Sequence, residues 1–210
     1  MPGSTMKKVS IALATGLVFF SSVTAFAGEP TDFIKQRTAE VTKIFEKKSS
    51  KSRAKKLDAK LQETVDFEEL ASRAFGEKHW DVRSAEEKQE FLSLLQRMLK
   101  ANYASKLEGK TLEEDFKIVY DKERTRKDMA FVETTVVVED DQRPVAYKLL
   151  KRDGGWIVYD LIIDDISLEE TYREDYVAII EAGETEAAGW KDLIGRMNDR
   201  IEQLEAEAKK

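Results

Sequence analysis

The hydrophobic period of this chain changes twice, and those changes constrain its fold more than any other feature. From Thr31 to Leu107 apolar residues recur every three or four positions, from Phe116 to Ile163 every two, and beyond Ser167 helical spacing returns. A segment patterned for one period cannot bury its apolar side in the other. The chain must therefore fold as helices, then strands, then helices. Four strands in succession with short connections imply an antiparallel meander. The expected class is α+β: a curved four-stranded antiparallel sheet packed against about six helices.

Local signals place the elements. Phe33, Ile34, Val41, Ile44 and Phe45 form the apolar face of a helix over Thr31 to Lys47, and helical spacing resumes from Leu57 to Val65. Asp66 with Glu69 starts a short helix that ends at Gly76, and Ser84 with Glu87 is a capping box for a long one. That long helix carries Phe91, Leu94, Leu95, Met98, Leu99, Asn102, Tyr103 and Leu107 before Gly109, a face wide enough for a central position. Phe116, Ile118 and Tyr120 alternate with charge, Ala130 to Glu139 is rich in Val and Thr, and Val145, Tyr147 and Leu149 share one strand face. Asp153-Gly154-Gly155 is a hairpin turn into a strand from Trp156 to Ile163. Ser167 with Glu170 caps the next helix, and Ala187 to Glu207 is the last, with residues 204–210 expected to fray.

The N-terminus bears on the compartment. Lys7 and Lys8 precede an uncharged apolar run from Val9 to Phe20, and Ala25-Phe26-Ala27 is a small-x-small site. That is the build of a secretory signal peptide over residues 1–27, too short to stay as a membrane span. Either Met1 or Met6 is the start, and the mature chain, one domain over residues 28–210, begins near Gly28 after cleavage. The chain has no cysteine, which removes disulfides, thiolate chemistry, cysteine metal sites and a lipidated N-terminus. An exported, soluble, unanchored protein is expected, periplasmic in a bacterium with two membranes. Lys7 and Lys8 are two of the chain's 35 basic residues, so 33 remain after cleavage against 41 acidic ones, a net charge of −8. Such a chain is no general nucleic-acid binder and is repelled by a uniformly anionic surface. Against this trend, Lys47 to Lys56 holds six basic residues in ten. It reads either as a solvated helix junction, the favoured reading, or as a handle for a partner or acidic head groups.

Catalytic groups are sparse. His79 is the only histidine, which leaves no hydrolase triad and no histidine-rich metal site, and a structural or surface role is expected of it. Asp160, Asp164 and Asp165 lie close in sequence, but capping of the following helix accounts for them better than a calcium or glycosidase site. Gly154-Gly155 is a hairpin turn, not a strand-to-helix phosphate loop. What remains is apolar and aromatic surface, with Trp80, Tyr103, Phe116, Tyr147, Trp156, Tyr159, Tyr172 and Tyr176 spread over sheet and helices. By residues alone this either closes one core or lines a hollow.

Several motifs carry a family resemblance. They are Asp66-Phe67-Glu68-Glu69-Leu70-Ala71 with Ala74-Phe75-Gly76, then Trp80, Ser84-Ala85-Glu86-Glu87-Lys88 and Phe91, then Tyr103 and Leu107. Most specific is Trp156-Ile157-Val158-Tyr159-Asp160-Leu161 through Ile166-Ser167-Leu168 to Tyr172-Arg173 and Tyr176, followed by Gly189 and Leu193-Ile194. In this order and spacing, over nearly the whole mature chain, the sequence resembles the MlaC / toluene-tolerance family of periplasmic phospholipid-binding proteins. It departs at Asp165, where the family usually has glycine, and at Tyr176, where phenylalanine is usual. The resemblance implies an NTF2-like fold with an apolar cavity between sheet and helices. It also implies a monomeric phospholipid carrier with no catalytic residues, metal or cofactor. Such a carrier shuttles between an outer-membrane lipoprotein–porin complex and an inner-membrane ABC transporter with an MCE-type ring, and so maintains outer-membrane lipid asymmetry. The expected lining is Leu95, Leu99, Tyr103, Leu107, Val136, Tyr147, Leu149, Trp156, Val158, Ile163, Tyr172 and Tyr176. Arg173 is a candidate for the pocket mouth, a partner contact or a structural ion pair. Two opposed readings stand beside the carrier: a small enzyme using Asp160 and Tyr159 as acid and base, and an interaction module with no pocket.

Overall fold

The computed structural model describes residues 30–45, 51–107, 117–138 and 141–207, with the backbone alone at 51, 54, 102–107 and 138. The expected signal peptide, the start of the basic run, Gly109 and Phe116 lie outside the described residues. In chain order the elements are α1 (Pro30–Phe45), α2 (Lys51–Thr64), α3 (Phe67–Trp80) and α4 (Ala85–Leu107), followed by β1 (Lys117–Arg126), β2 (Met129–Val138), β3 (Asp141–Arg152), β4 (Gly155–Ile163) and β5 (Ile166–Ser167), then α5 (Leu168–Glu181) and α6 (Glu186–Glu207). The strands form one open antiparallel sheet in the order β1-β2-β3-β4-β5.

The caps explain where helices begin. The Asp66 carboxylate accepts from the Glu69 amide at 3.0 Å. Ser84 and Glu87 make a reciprocal box: the Ser84 amide donates to the Glu87 carboxylate at 2.8 Å and the Glu87 amide to the Ser84 hydroxyl at 3.2 Å. Gly76, at φ 66 and ψ 175, breaks α3 where a glycine stop is expected, and one further helical turn follows it. At the other end, α6 continues as helix past Leu204 to Glu207, because Leu204 is buried and Arg97 of α4 pairs with Glu205.

The four expected strands are present, and β5 adds a short fifth. Ser167 caps α5 by accepting from the Glu170 amide, and a cap residue has extended backbone (here φ −77, ψ 133). That same conformation lets Ser167 pair with Ile162 as a strand residue. The β4–β5 turn is made by Asp164 and Asp165, both at positive φ (51 and 65). This left-handed pair suits the twist of a hairpin and is the reason glycine is favoured at Asp165, with aspartate tolerated.

Strand register defines the two faces of the sheet. On one face the paired residues form rows: Ala130, Leu149 and Val158; then Val132, Tyr147 and Leu161; then Tyr120, Thr134, Val145, Ile163 and Ile166; then Ile118, Val136 and Arg143. A register shift between Lys148 and Leu149 leaves Tyr159 as an extra residue in β4. Unbroken alternation would put Asp160 on the face of Val158. The bulge sends it to the opposite one, beside Lys148, and brings Leu161 and Ile163 onto the face of Val158.

Helices cover that face. The Thr38 hydroxyl of α1 lies 2.7 Å from the Tyr120 hydroxyl, and the Thr31 amide donates to Glu123 at 2.8 Å. Ala130, Val132, Leu149 and Val158 join Ile34, Phe67, Leu70, Phe91, Leu95 and Leu99 in one buried core. Between α5 and α6 the backbones nearly touch. A Cβ added to Gly189 would sit 2.0 Å from the Ile180 carbonyl oxygen, a backbone atom that cannot swing aside.

Two stability outcomes follow. Gly189→Ala forces α5 and α6 apart and is expected to cost at least about 1–3 kcal/mol, read as a lowered denaturation midpoint. At Asp165, Asp165→Gly is expected to keep full stability. Asp165→Val should lose about 1–2 kcal/mol, a Tm drop of roughly 2–8 °C in thermal melts, because a branched side chain at positive φ is strained.

Candidate functional site

The helix-covered face of the sheet is the candidate site, and its cover thins along the strands. Ala130, Leu149 and Val158 are all buried, whereas Thr125 of β1, paired with Ala130, is exposed. In the row of Val132, Tyr147 and Leu161 only Val132 is buried and the other two are half-buried. Farther on, Tyr120, Val145, Ile163, Ile118 and Val136 are all half-buried, and Ile166, at the end of its row, is 62% exposed. The Arg143 guanidinium closes the last row at the rim, paired with Asp141 and Asp164 at 3.0 Å each. The wall is apolar across the middle of β2, β3 and β4 apart from the buried Thr134, and polar at both ends and along β1, where Arg143, Lys151, Glu123 and Thr125 share the face.

Six of the expected lining residues share this face: Val136, Tyr147, Leu149, Trp156, Val158 and Ile163. Leu95 and Leu99 reach the same core from α4 and are buried. Tyr172 and Tyr176 belong to the aromatic part of the same core, built among the helices. Tyr176 stacks on Tyr172 at 5.0 Å and on Phe75 at 6.3 Å and meets Phe91 edge-on at 6.1 Å, and its hydroxyl donates to the Met98 sulfur at 3.8 Å. Trp80 and Trp190 complete the cluster around Phe75 and Phe91. Tyr103 and Leu107 lie on the last turns of α4, and their side chains are outside the described residues. Sequence reasoning missed Ile118, Tyr120, Val132 and Leu161 on the wall. Alternation could have supplied the first three, but nothing local marks the bulge that turns Leu161 inward.

A small cavity of about 20 Å³ lies where the helices meet β4. It is lined by Leu61, Val65, Phe67, Leu70, Leu99, Leu161 and Leu168, with Asp160 at its edge. Backbone pairing closes the seam beside it. The Asp66 amide donates to the Val158 carbonyl at 2.8 Å, so the α2–α3 junction is pinned to the edge of β4.

Asp160 anchors the opposite side of β4. Its buried carboxylate accepts from the Ser167 hydroxyl at 2.7 Å and the Glu169 amide at 3.0 Å, and pairs with the Lys148 ammonium at 2.8 Å. Burial, the largest single influence, would lower the Lys148 pKa; the hydrogen bond it donates to Asp160 and the nearby charges of Asp160 and Glu169 together raise it. All this ties β3, β4 and the start of α5 into one unit. Tyr159 lies under the Arg73 guanidinium, 4.3 Å from its ring centre, and burial raises its pKa. His79 is buried between Glu181 at 3.4 Å and Glu186 at 3.3 Å. Arg173 donates to Glu169 and to the Arg73 carbonyl, which gives it ion-pair and helix-bridging contacts. No group of three or more His, Asp or Glu side chains able to hold a metal ion occurs among the described residues. No helix among them is long and apolar enough to cross a membrane.

Comparison with known proteins places this geometry. The family model described as MlaC protein matches residues 35–199. A solved structure of the phospholipid-binding protein from Ralstonia solanacearum, in complex with a phospholipid, is similar with a TM-score of 0.73 at 21% identity, covering 84% of this chain and 99% of that one. At that identity the likeness is one of fold. No curated protein matches the chain.

Two outcomes test the site's electrostatics. Burial pushes the Tyr147 phenol from its ordinary 10.0 up to about 12. A raised phenol pKa means that the unfolded chain releases this proton first, so the Tyr147 contribution is whole below pH 10 and is lost as pH climbs toward about 12. In an alkaline denaturation series Tyr147→Phe should flatten that part of the stability curve. Asp160→Ala leaves the Lys148 ammonium with Glu169 alone, at 3.5 Å, and strands two donors, and is expected to cost about 3–5 kcal/mol in urea unfolding.

Proposed function

The chain belongs to the MlaC family, and on that premise we propose that it is a periplasmic phospholipid carrier. Its acyl tails would lie against the apolar wall between sheet and helices, with the head group left in water. The observation that carries this reading is the graded wall itself. An apolar sheet face sealed at Ala130, Leu149 and Val158, and only half-covered at Val136, Val145 and Ile163 on one side and at Trp156 on the other, is a bed that the helices cover incompletely.

In this reading residues 1–27 are a signal peptide and residues 28–210 the mature single domain. The carrier passes phospholipid between an outer-membrane lipoprotein–porin complex and an inner-membrane ABC transporter with an MCE-type ring, which maintains outer-membrane lipid asymmetry. It works as a monomer, with no cofactor beyond its cargo. Energetics favour a carrier: at roughly 0.8 kcal/mol per methylene, exposing a chain of about 16 carbons costs on the order of 12 kcal/mol. The apolar bed has only to match the bilayer, so that hand-over is near neutral and the partners set direction. A site for a ligand of this size needs roughly 300–1,000 Å³, far above the cavity of about 20 Å³ beside Leu99. Loading therefore parts α2, α3 and α4 from β4 and α5, widening that cavity.

The enzyme reading is weaker. The Asp160 carboxylate is already committed to Ser167, Glu169 and Lys148, and Tyr159 is covered by Arg73. A general base must have a free lone pair aimed at substrate.

The test is extraction of protein purified without detergent, followed by mass spectrometry. Phospholipid is expected at a fixed ratio to protein, and Leu99→Trp, which fills the cavity, should lower that ratio at least several-fold while leaving the circular dichroism spectrum unchanged. Lipid-free wild-type protein would overturn the carrier reading. Unchanged lipid in Leu99→Trp would remove Leu99 from the bed.

A further inference from the structure

The acidic chain carries one patch that opposes its net charge. Between α1 and α2 lies an open groove of about 370 Å³ lined by Glu40, Lys43, Ile44, Lys56, Ala59 and Lys60. Part of its charge is internally balanced. Glu40 binds Arg37 at 3.1 Å and Lys60 at 3.2 Å, and Lys60 also binds Glu63 at 2.5 Å. Burial would raise the Glu40 pKa, but hydrogen bonds from Lys60, Gln36 and Arg37 hold it below the usual carboxylate value. That leaves Lys43 and Lys56, both exposed, with no hydrogen bond or ion pair among the described residues, and exposed Lys55 beside them. The apolar part of the lining is buried Ile44 and exposed Ala59. The helix pair beneath is firmly packed: buried Arg53 of α2 lies 5.3 Å from the Phe45 ring centre of α1.

We propose that this groove docks the protein on a bilayer surface by taking the head group of an anionic phospholipid. The two ammonium groups meet the phosphate and the stems of Lys43 and Lys56 lie along the apolar part of the lining, as lysine does at membrane interfaces. A bilayer fits better than an acidic protein, because point-charge lysines beside an apolar lining match a phosphate above hydrocarbon. Bidentate carboxylate recognition calls instead for the arginine fork. The chain's acidic balance does not defeat docking. Charges beyond about 8 Å are screened at physiological ionic strength, so the surface feels the patch and the rest of the molecule sets the orientation by repulsion. The groove is distinct from the apolar wall: α1 turns Thr31 and Thr38 toward the sheet, and Lys43 and Ile44 toward α2.

The experiment is co-sedimentation of the full mature chain with phosphatidylcholine vesicles, with and without phosphatidylglycerol. Binding is expected only when phosphatidylglycerol is present, and it should weaken as salt rises. Each lysine near an anionic surface contributes roughly a fivefold change in partitioning. The double variant Lys43→Gln/Lys56→Gln should therefore bind about 25-fold more weakly, whereas Lys191→Gln on exposed α6 should bind as wild type does. Equal binding to both vesicle types, no binding, or a double variant that binds like wild type would overturn the proposal. So would a double variant that loses affinity for an acidic protein while keeping it for vesicles. Phospholipid extracted from the double variant should equal that of wild type; a fall would place these lysines in the cargo site and overturn a separate dock.

Discussion

The buried Asp160 carboxylate is the constraint around which the sheet is arranged. A buried charge survives only when its partners are all in place. Here they come from three directions: Lys148 on β3, and Ser167 and Glu169 at the start of α5. To reach them Asp160 must leave the face that Val158 occupies, and the extra residue Tyr159 makes this possible. The same bulge turns Leu161 and Ile163 inward. One polar anchor thus fixes the helix-to-strand junction and completes an apolar wall on the other side of the same strand.

That division of labour suits a protein that holds apolar cargo. Polar and charged contacts sit behind and around the wall, where they keep β3, β4 and α5 rigid. The face toward α2, α3 and α4 is held by apolar packing, by the Asp66 amide on the Val158 carbonyl, and at the end of β3 by ion pairs from Arg152 to Asp66 and Glu69. Apolar packing is non-directional, so helices can slide or part on it and exchange protein contacts for acyl contacts at little net cost.

Legibility in the sequence tracked how local each determinant is. Caps at Asp66, Ser84 and Ser167, the Asp153-Gly154 turn and the switch of period are written within a few residues, and the structure has them. The helix stop at Gly76 is equally local. The bulge at Tyr159 is not. It depends on Asp160 finding Lys148 from β3 and an amide from α5, partners that only the fold supplies. The place of Leu161 on the wall was hidden for that reason. Tyr172 and Tyr176 follow the wall residues closely in sequence, yet they pack into a cluster with Phe75 and Phe91 that the helices build among themselves. Burial of Arg53 within a basic run was likewise unreadable, since it rests on the Phe45 ring from another helix.

Carriage of acyl chains on the wall formed by β2, β3 and β4 is tested most directly with a phospholipid bearing a photoreactive group at its tail end. The protein is loaded, irradiated, digested and mapped by mass spectrometry. Labels are expected on Val136, Val145, Tyr147, Leu161, Ile163 and Leu99. Labels confined to Phe131 and Ile157 on the opposite face, or to the α1–α2 groove, would contradict it.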